Sequence, residues 1–388
     1  MRVYLDNSAT TPIDPRVLEA MLPYFHTEFG NPSSIHGFGQ RARTAVEQAR
    51  EQVAALIGAR PREIVFTSGG TESDNFALRG VLGSCAGSRN ELVTSAIEHP
   101  AVLGTCDALS QKGMVVKRIP ADDQARVDPA AVGIAVSAKT ALVSIMHANN
   151  ETGTIQDITR IAALAREKGA WVHSDAVQTV GKVPVDVEQL GVDLLSFTAH
   201  KLHGPKGVGL LYERQGMEMQ SLLFGGHQER SRRAGTENVA AIVGFGCAAE
   251  LAGQHLENMR VGVAALRDRL ESGILTQIPD VKVNGSRESR LPNISNLRFQ
   301  GLEGEALTIA LDLEGVAVST GSACSSGSLE PSHVLLAMGQ SREEVQSSIR
   351  FSLSRMNTQV EIDYVLQVLP CVVERLRSFA PGHRLIQL

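Results

Sequence analysis

Cysteine is scarce in this chain and is not arranged to hold a metal or a cross-link. The five that occur in 388 residues, Cys85, Cys106, Cys247, Cys324 and Cys371, are odd in number and widely scattered. No CxxC pair or cysteine–histidine ligand spacing occurs, so neither a zinc centre nor a disulfide framework is expected. Basic charge is not in excess: 37 Lys and Arg stand against 42 Asp and Glu, a net charge of −5. That argues against a dedicated nucleic-acid or anionic-membrane surface and leaves only local patches. "RSRR" (230–233) is one such patch, a solvated turn or else an anion or subunit contact. Long apolar runs are missing. The start, "MRVYLDNSATTP", has no signal-peptide core. The longest uncharged apolar stretch, Val239 to Ala249, falls short of the roughly 20 residues that cross a bilayer. A cytoplasmic protein with no membrane attachment is expected. Internal repeats and low-complexity tracts are also absent.

What remains has the composition of an ordinary globular protein, 43% hydrophobic and 20% charged, long enough for a sizeable core and more than one domain. The first two thirds alternate helix-period and strand-like segments, the pattern of an α/β domain. Ala42, Ala45, Val46, Ala49, Val53, Leu56 and Ile57 recur at helical spacing, as do Ile158, Ile161, Ala162 and Ala165. Strands are expected at Glu63–Thr67, Leu92–Ala96, Ala141–Met146, Ala170–His173 and Leu194–Thr198. A charged helix over about 254–272 leads into the turn-rich "IPDVKVNGSRESRLPN". Beyond it, strands are expected at Ile294–Phe299, Val316–Ser319 and Ser348–Leu353. A last helix carries an apolar stripe from Ile362 to Leu376, with Pro370 expected to kink or break it. A domain boundary is placed near 255–260.

Several of these strands end in polar residues that packing does not require, and open α/β sheets bind ligands just past the carboxyl ends of their strands. "FTSGGTESD" (66–74) places Gly69, Gly70 and Thr71 at a strand-to-helix turn, either a plain capped turn or a phosphate cradle. "SAIEHPAV" brings His99, and "MHANNETG" brings Asn149 and Asn150, residues that also suit a turn. "WVHSDAVQ" ends on Asp175, with Gln178 three residues on. A buried aspartate wants a cationic partner, from the protein or from a ligand. "SFTAHKLHGPKG" supplies Thr198, His200 and Lys201. A lysine there can be desolvated for Schiff-base chemistry, and spacing alone leaves Lys206 as its rival. A phosphate cradle, an acid for a ring nitrogen, a stacking histidine and a lysine together are what pyridoxal phosphate requires.

The segments "YLDNSATTP", "GNPSSIHGFG", "FTSGGTESDN", "EHPAV", "HANNETGT", "HSDAVQ", "SFTAHKLHGPKGVG", "GGHQERSRRAGTENVA", "TGSACSSGSLEPSHV" and "IRFSLSRMNT" resemble the NifS/IscS cysteine desulfurases from about residue 3 to 377, and most of all the NifS branch. The resemblance implies a type I pyridoxal-phosphate fold: a large domain (13–258) with a mixed seven-stranded sheet, and a smaller α+β domain from 1–12 and 259–388. It implies a homodimer. Lys201 would hold the cofactor, Asp175 its ring nitrogen and Gln178 its ring hydroxyl, with His99 stacked on the ring and moving protons. Gly70, Thr71, Thr198 and His200 would bind the phosphate, with Thr236 reaching in from the second subunit. Asn150 and Arg355 would hold the carboxylate of L-cysteine. Cys324 would take the sulfur as a persulfide and pass it to an acceptor or scaffold protein for iron–sulfur cluster or related assembly. Many relatives have serine where Thr198 stands, and the hydroxyl is kept. "TGSACSSGS" (320–328) is then expected to be a mobile loop that swings Cys324 between the cofactor and an acceptor.

Other readings compete. A selenocysteine lyase would share the fold. A cofactor-free thiol enzyme using Cys324 and a histidine would leave Asp175, Gln178 and Lys201 unexplained. An inactive sulfur-relay subunit would not need every chemical position intact. Cys106, Cys247 and Cys371 are read as packing residues in helix-like apolar settings, and Cys85 as a surface residue among small neighbours.

Overall fold

The structure, a computed structural model, describes residues 1–85, 89–320 and 330–379. Seven strands form one mixed sheet in the order Ile64–Thr67, Gly209–Glu213, Leu194–Thr198, Trp171–Asp175, Thr140–Ser144, Glu91–Ser95, Val115–Ile119. Only Gly209–Glu213 runs antiparallel to its neighbours; the remaining pairs are parallel.

The sheet is covered on both faces, which is why its strands, apart from the edge strand Val115–Ile119, read as nearly continuous apolar runs. Neighbouring residues of one strand go to opposite cores, as the pleat dictates. Ile64, Phe66, Val93, Val143, Leu195 and Leu210 join one cluster, while Val65, Leu92, Leu142, Leu194 and Leu211 join the other. Helices Gly37–Leu56, Ile158–Glu167 and Val239–Gln254 cover the first face. Helices Gly70–Ser84 and Pro100–Ser110 cover the second.

Helix Val239–Gln254 meets the helical stretch Leu256–Gln277 at a 61° bend. A separate core begins there, joining Val3 and Leu5 to residues between Met259 and Val373. It lies under a four-stranded antiparallel sheet, Ser319–Thr320, Ser348–Ser352, Ile294–Phe299, Val281–Asn284. Val3–Tyr4 pairs in parallel with Val316–Ala317, which ties the first residues of the chain to this second core. The strand expected at Val316–Ser319 is two short pieces, because the chain switches partner between Ala317 and Ser319.

Pro370 does not break its helix. Gln359–Phe379 is one element, held on both sides of the proline by buried Val365, Leu369, Val372 and Val373. Tertiary burial outweighs the lost backbone hydrogen bond. Among the described residues, no single helix is long and apolar enough to cross a membrane.

Candidate active site

The polar residues singled out in the sequence collect along the carboxyl ends of the central strands, where the first residues of the chain cross beside them. Strand Leu194–Thr198 ends in one helical turn, Ala199–Lys201. The Lys201 ammonium donates to the backbone carbonyl of Ala9 at 2.6 Å and to that of Ser8. The rival, Lys206, is exposed. Ser8 Oγ and Asn7 Oδ1 are buried beside this point and have no hydrogen-bond partner among the described residues.

Asp175 closes strand Trp171–Asp175, with Oδ1 accepting the Val177 N–H at 2.9 Å. Burial raises its carboxyl, and the Lys201 charge opposes that rise. Beneath it lies Asp74, from helix Gly70–Ser84. Burial, and then the charge of Asp175, push Asp74 well above the usual carboxylate range. Two buried carboxylates that interact do not both ionise. The deeper Asp74 holds the proton, and Asp175 is the one that stays available as an anion. His173 sits below, its Nε2 3.0 Å from Ser196 Oγ and 3.6 Å from Asp74 Oδ1.

Gln178 donates from Nε2 to the Ser8 carbonyl at 3.1 Å, so it shares that acceptor with Lys201. Its Oε1 accepts from Lys182 Nζ at 2.9 Å. Lys182 is buried, and burial, then Lys201, lower its amine to about 7.

His99 caps helix Pro100–Ser110, its Nδ1 accepting the Ala101 N–H at 3.1 Å. Burial, then the charges of Lys201 and His333, bring it down to about 4. With Nδ1 taken as an acceptor, the neutral ring carries its hydrogen on Nε2. The preceding residue, Glu98, is fully buried. Its Oε1 accepts from Ser95 Oγ at 2.5 Å and Met146 N at 3.0 Å, and burial raises it to about 8.

The phosphate candidates surround the same turn. Gly70 and Thr71 open helix Gly70–Ser84, whose first N–H groups face outward as at any helix start. A Cβ on Gly209 would lie 2.7 Å from Gly69 Cα, so the neighbouring strand can approach this turn only as glycine. Thr198 Oγ1 donates to the Val208 carbonyl at 2.9 Å, and His200 Nδ1 lies 3.2 Å from Thr10 Oγ1. Burial, then Lys201, lower His200 to about 4. Thr236 is placed elsewhere. It lines one cleft with Ser68 and Gly207 and another with Phe25 and Phe29, and neither cleft includes Lys201.

Asn150 is buried in the loop after Thr140–Ser144, with its carbonyl accepting from Arg350 Nη1 at 3.0 Å. Asn149 is a turn residue: its Oδ1 accepts the N–H groups of Glu151 and Thr152. Arg355 lines a cavity with Asn7, Lys182, Lys201, His203 and His255. Its Nη2 is 2.6 Å from Asp14 Oδ2, and Arg16 holds the same carboxylate. Cys324 and the expected mobility of its loop lie outside the described residues. Of the other cysteines, Cys106 is buried, with its thiol pushed up to about 12, first by burial. Cys85 and Cys247 are half-buried, and Cys371 is exposed on the last helix rather than packed.

Sequence reasoning passed over Glu98, Glu151, Lys182 and His333, and read Asp74 only as part of a capping-box-like helix start with Thr71, where the structure shows no side-chain cap. Asp74 and Glu98 sit inside motifs already noted. Lys182, in "VGKVP", has no local signal at all, because only the fold buries it.

Residues 3–365 match the family described as Aminotransferase class-V. A cysteine desulfurase of Gluconacetobacter diazotrophicus is 51% identical over 381 residues, 98% of this chain and 95% of that protein. The cysteine desulfurase NifS of Azotobacter vinelandii is 48% identical over 380 residues, 98% of this chain and 94% of that protein. A solved NifS-like protein superposes with a TM-score of 0.92 at 42% identity, covering 97% of this chain and 100% of that one.

Proposed function

The chain belongs to the class V aminotransferase family and is a cysteine desulfurase; we propose that it works with pyridoxal phosphate held at Lys201 and takes sulfur from L-cysteine onto Cys324. The observation that carries the cofactor reading is the set at the strand ends. It comprises a lysine amine, a buried aspartate kept available as an anion by a second, protonated carboxyl, and an imidazole that caps a helix. A glycine-opened helix start and two buried polar atoms with no partner among the described residues, Ser8 Oγ and Asn7 Oδ1, complete it. These residues fit the group: a carbonyl for the amine, a basic ring nitrogen for Asp175, and a phosphate for Gly70, Thr71, Thr198 and His200. The partner's Thr236 completes that phosphate site in a dimer. When bound, the cofactor supplies an electron sink next to the substrate Cα.

The chain's own groups do the rest. Lys201 would hold the cofactor through its amine and, once free of it, would carry the substrate Cα proton. Asp175, as an anion, would hold the proton on the cofactor's ring nitrogen. His99 would lie against the cofactor's ring, and its imidazole holds its hydrogen on Nε2. To accept a proton there, its ring hydrogen must first move to Nδ1, which costs the bond from Ala101 N–H. Arg355 and Asn150 hold the substrate carboxylate. The Cys324 thiolate attacks the substrate sulfur. An S–S bond forms and the C–S bond breaks, its electron pair staying with carbon, which is then protonated. The balance is L-cysteine plus enzyme thiol to L-alanine plus enzyme persulfide, and the persulfide passes to a sulfur acceptor. Reduced thiols are needed throughout, so a cytoplasmic location belongs to this reading.

The domains proposed are 13–258 and 1–12 with 259–388, placing the cavity of Arg355 and Lys201 where they meet. A homodimer is also part of the reading. Leu22, Phe25, Phe29 and Phe38 are exposed, Phe29 and Phe38 stack at 5.4 Å, and Thr236 lines the same cleft as Phe25 and Phe29. An apolar face of this kind suits a second copy and takes Thr236 to the partner's phosphate site. Sedimentation at the mass of one chain would contradict it.

The test is alanine release from L-cysteine by the purified yellow protein. Borohydride should fix the cofactor to the peptide containing Lys201, and Lys201→Ala should be colourless and inactive. A K201A enzyme that turns over cysteine at the wild-type rate would overturn the assignment.

A further inference from the structure

Lys182 is a buried cation that the reaction just described does not use. It follows Gly181, whose backbone is left-handed (φ 73°) and whose missing Cβ would lie 2.6 Å from Leu202 Cδ2. Lys182 is 4% exposed and lines the same cavity as Lys201 and Arg355. Its Nζ lies 2.9 Å from Gln178 Oε1, and Gln178 Nε2 lies 3.1 Å from the carbonyl of Ser8.

The geometry points to Lys182 as the residue that fixes the orientation of the Gln178 carboxamide, so that Gln178 presents an N–H, not a carbonyl, to the bound ligand. An amide can face either way, and its neighbours decide. The Ser8 carbonyl can only accept, so it takes Nε2. An ammonium can only donate, so it takes Oε1. The flipped amide would set Oε1 against the Ser8 carbonyl, two acceptors with no hydrogen between them, and would turn Nε2 toward the lysine, giving up the bond its ammonium form makes to Oε1. With one N–H committed to Ser8, the second is left for an acceptor. In the proposed function that acceptor is the ring oxygen of the cofactor, which is most stable as an anion when it receives a hydrogen bond. Placing an ammonium here is costly: burial lowers its amine to about 7. A fold needing only bulk at this position would be served by an apolar side chain.

This inference rests on the proposed cofactor reading, and the experiment separates the two. Holoenzymes of the wild type, K182M, K182R, Q178A and the K182M/Q178A double variant are compared by pH titration of the cofactor's visible absorbance and by kcat and KM for L-cysteine. Thermal melting checks that each is folded. One hydrogen bond to a charged group is worth roughly tenfold or more. K182M is therefore expected to lower kcat about tenfold with KM little changed, and to shift the absorbance titration in the same direction as Q178A. K182R keeps donors toward Oε1 and should titrate like the wild type. The double variant should match Q178A alone, because both changes remove one contact. A K182M enzyme with wild-type titration and kcat, or effects that add to those of Q178A, overturns the role of Lys182. If K182M is unstable, a K182R titration shifted as far as that of Q178A does the same. A Q178A enzyme that titrates normally removes the Gln178 contact and this inference with it. A wild-type protein without bound cofactor overturns the functional reading itself.

Discussion

His333 Nε2 lies 2.8 Å from the carbonyl oxygen of Glu98, the residue before His99. The imidazole must be the donor, since a carbonyl only accepts, and burial keeps the ring neutral by lowering its pKa. One residue earlier, Ser332 Oγ donates to Glu151 Oε2 at 2.5 Å, next to Asn150. The chain that returns from the segment carrying Cys324 is thus pinned to the two strand-end loops that carry His99 and Asn150.

A glutamine at 333 places its amide nitrogen where Nε2 stands, whereas alanine places nothing there. H333Q should keep most of the wild-type kcat/KM for L-cysteine, and H333A should lose about fivefold, the worth of one neutral hydrogen bond. Steady-state alanine release measures this. Equal losses in both variants would show that the ring's packing matters and its hydrogen bond does not.

Arg355 is presented by Asp14, which it meets at 2.6 Å. Asp14 is held far below the usual carboxylate range, first by Arg16, so it remains an anion throughout the working pH range. A lysine cannot reproduce a planar, two-pronged contact with a carboxylate. R355K is expected to raise KM for L-cysteine about tenfold or more while leaving the cofactor spectrum unchanged. An unchanged KM would mean that the substrate carboxylate binds elsewhere.

Glu98 gives a pH dependence of stability. Burial raises its folded pKa to about 8, from an ordinary value of 4.5. Its contribution to stability is therefore fully present below about pH 4.5 and is lost as pH rises through about 8. Glu98→Gln keeps the shape and cannot ionise. Its melting temperature relative to the wild type should increase steadily from pH 5 to pH 9. A difference that does not change with pH would show that Glu98 ionises freely in the fold.

Arg50 and Glu229 form a buried pair, with Nη1 and Nη2 at 2.7 and 2.8 Å from the two carboxylate oxygens, and Glu229 also accepts the Phe66 N–H at 3.0 Å. E229A leaves the guanidinium with only the half-exposed Glu47, 3.2 Å from Nε, and should cost about 3 kcal/mol in denaturant unfolding. The double variant R50M/E229L should cost much less, because no charge is stranded. Similar costs for both would argue that the pair's packing, rather than its charge, holds the "HQERSRR" loop.

Five of the seven strands were legible because they are apolar on both faces and end in polar residues that packing cannot explain; Val115–Ile119, a half-exposed edge strand carrying Lys117 and Arg118, and the antiparallel Gly209–Glu213 were not expected. Asp175, His99 and Lys201 stood out for that reason, and the fold brings them to one place. The structure also separates Lys201 from Lys206, which spacing alone did not do. The groups that were missed, or in the case of Asp74 read only as part of a capped helix start, have a common cause. Asp74 matters only because Asp175 packs above it, and Lys182 only because the fold buries it on Gln178. The partnership of Asp14 with Arg355 spans 341 residues, which no local pattern conveys. The break that was one of two outcomes expected at Pro370 did not occur, for the opposite reason. A strong local rule suggested a break, and the buried stripe on both sides of it overrode the rule. The two-residue strands Val316–Ala317 and Ser319–Thr320 are too short to show any period.

The central claim is that sulfur leaves L-cysteine onto Cys324. The direct measurement is a single turnover of the cofactor-loaded enzyme with L-cysteine and no reductant, followed by quantifying alanine and weighing the peptide that contains Cys324. One alanine per active site and one added sulfur atom on that peptide are expected, with neither product formed by C324A. Alanine formed by C324A at the wild-type rate, or an added sulfur found only on Cys85, Cys106, Cys247 or Cys371, would contradict the account.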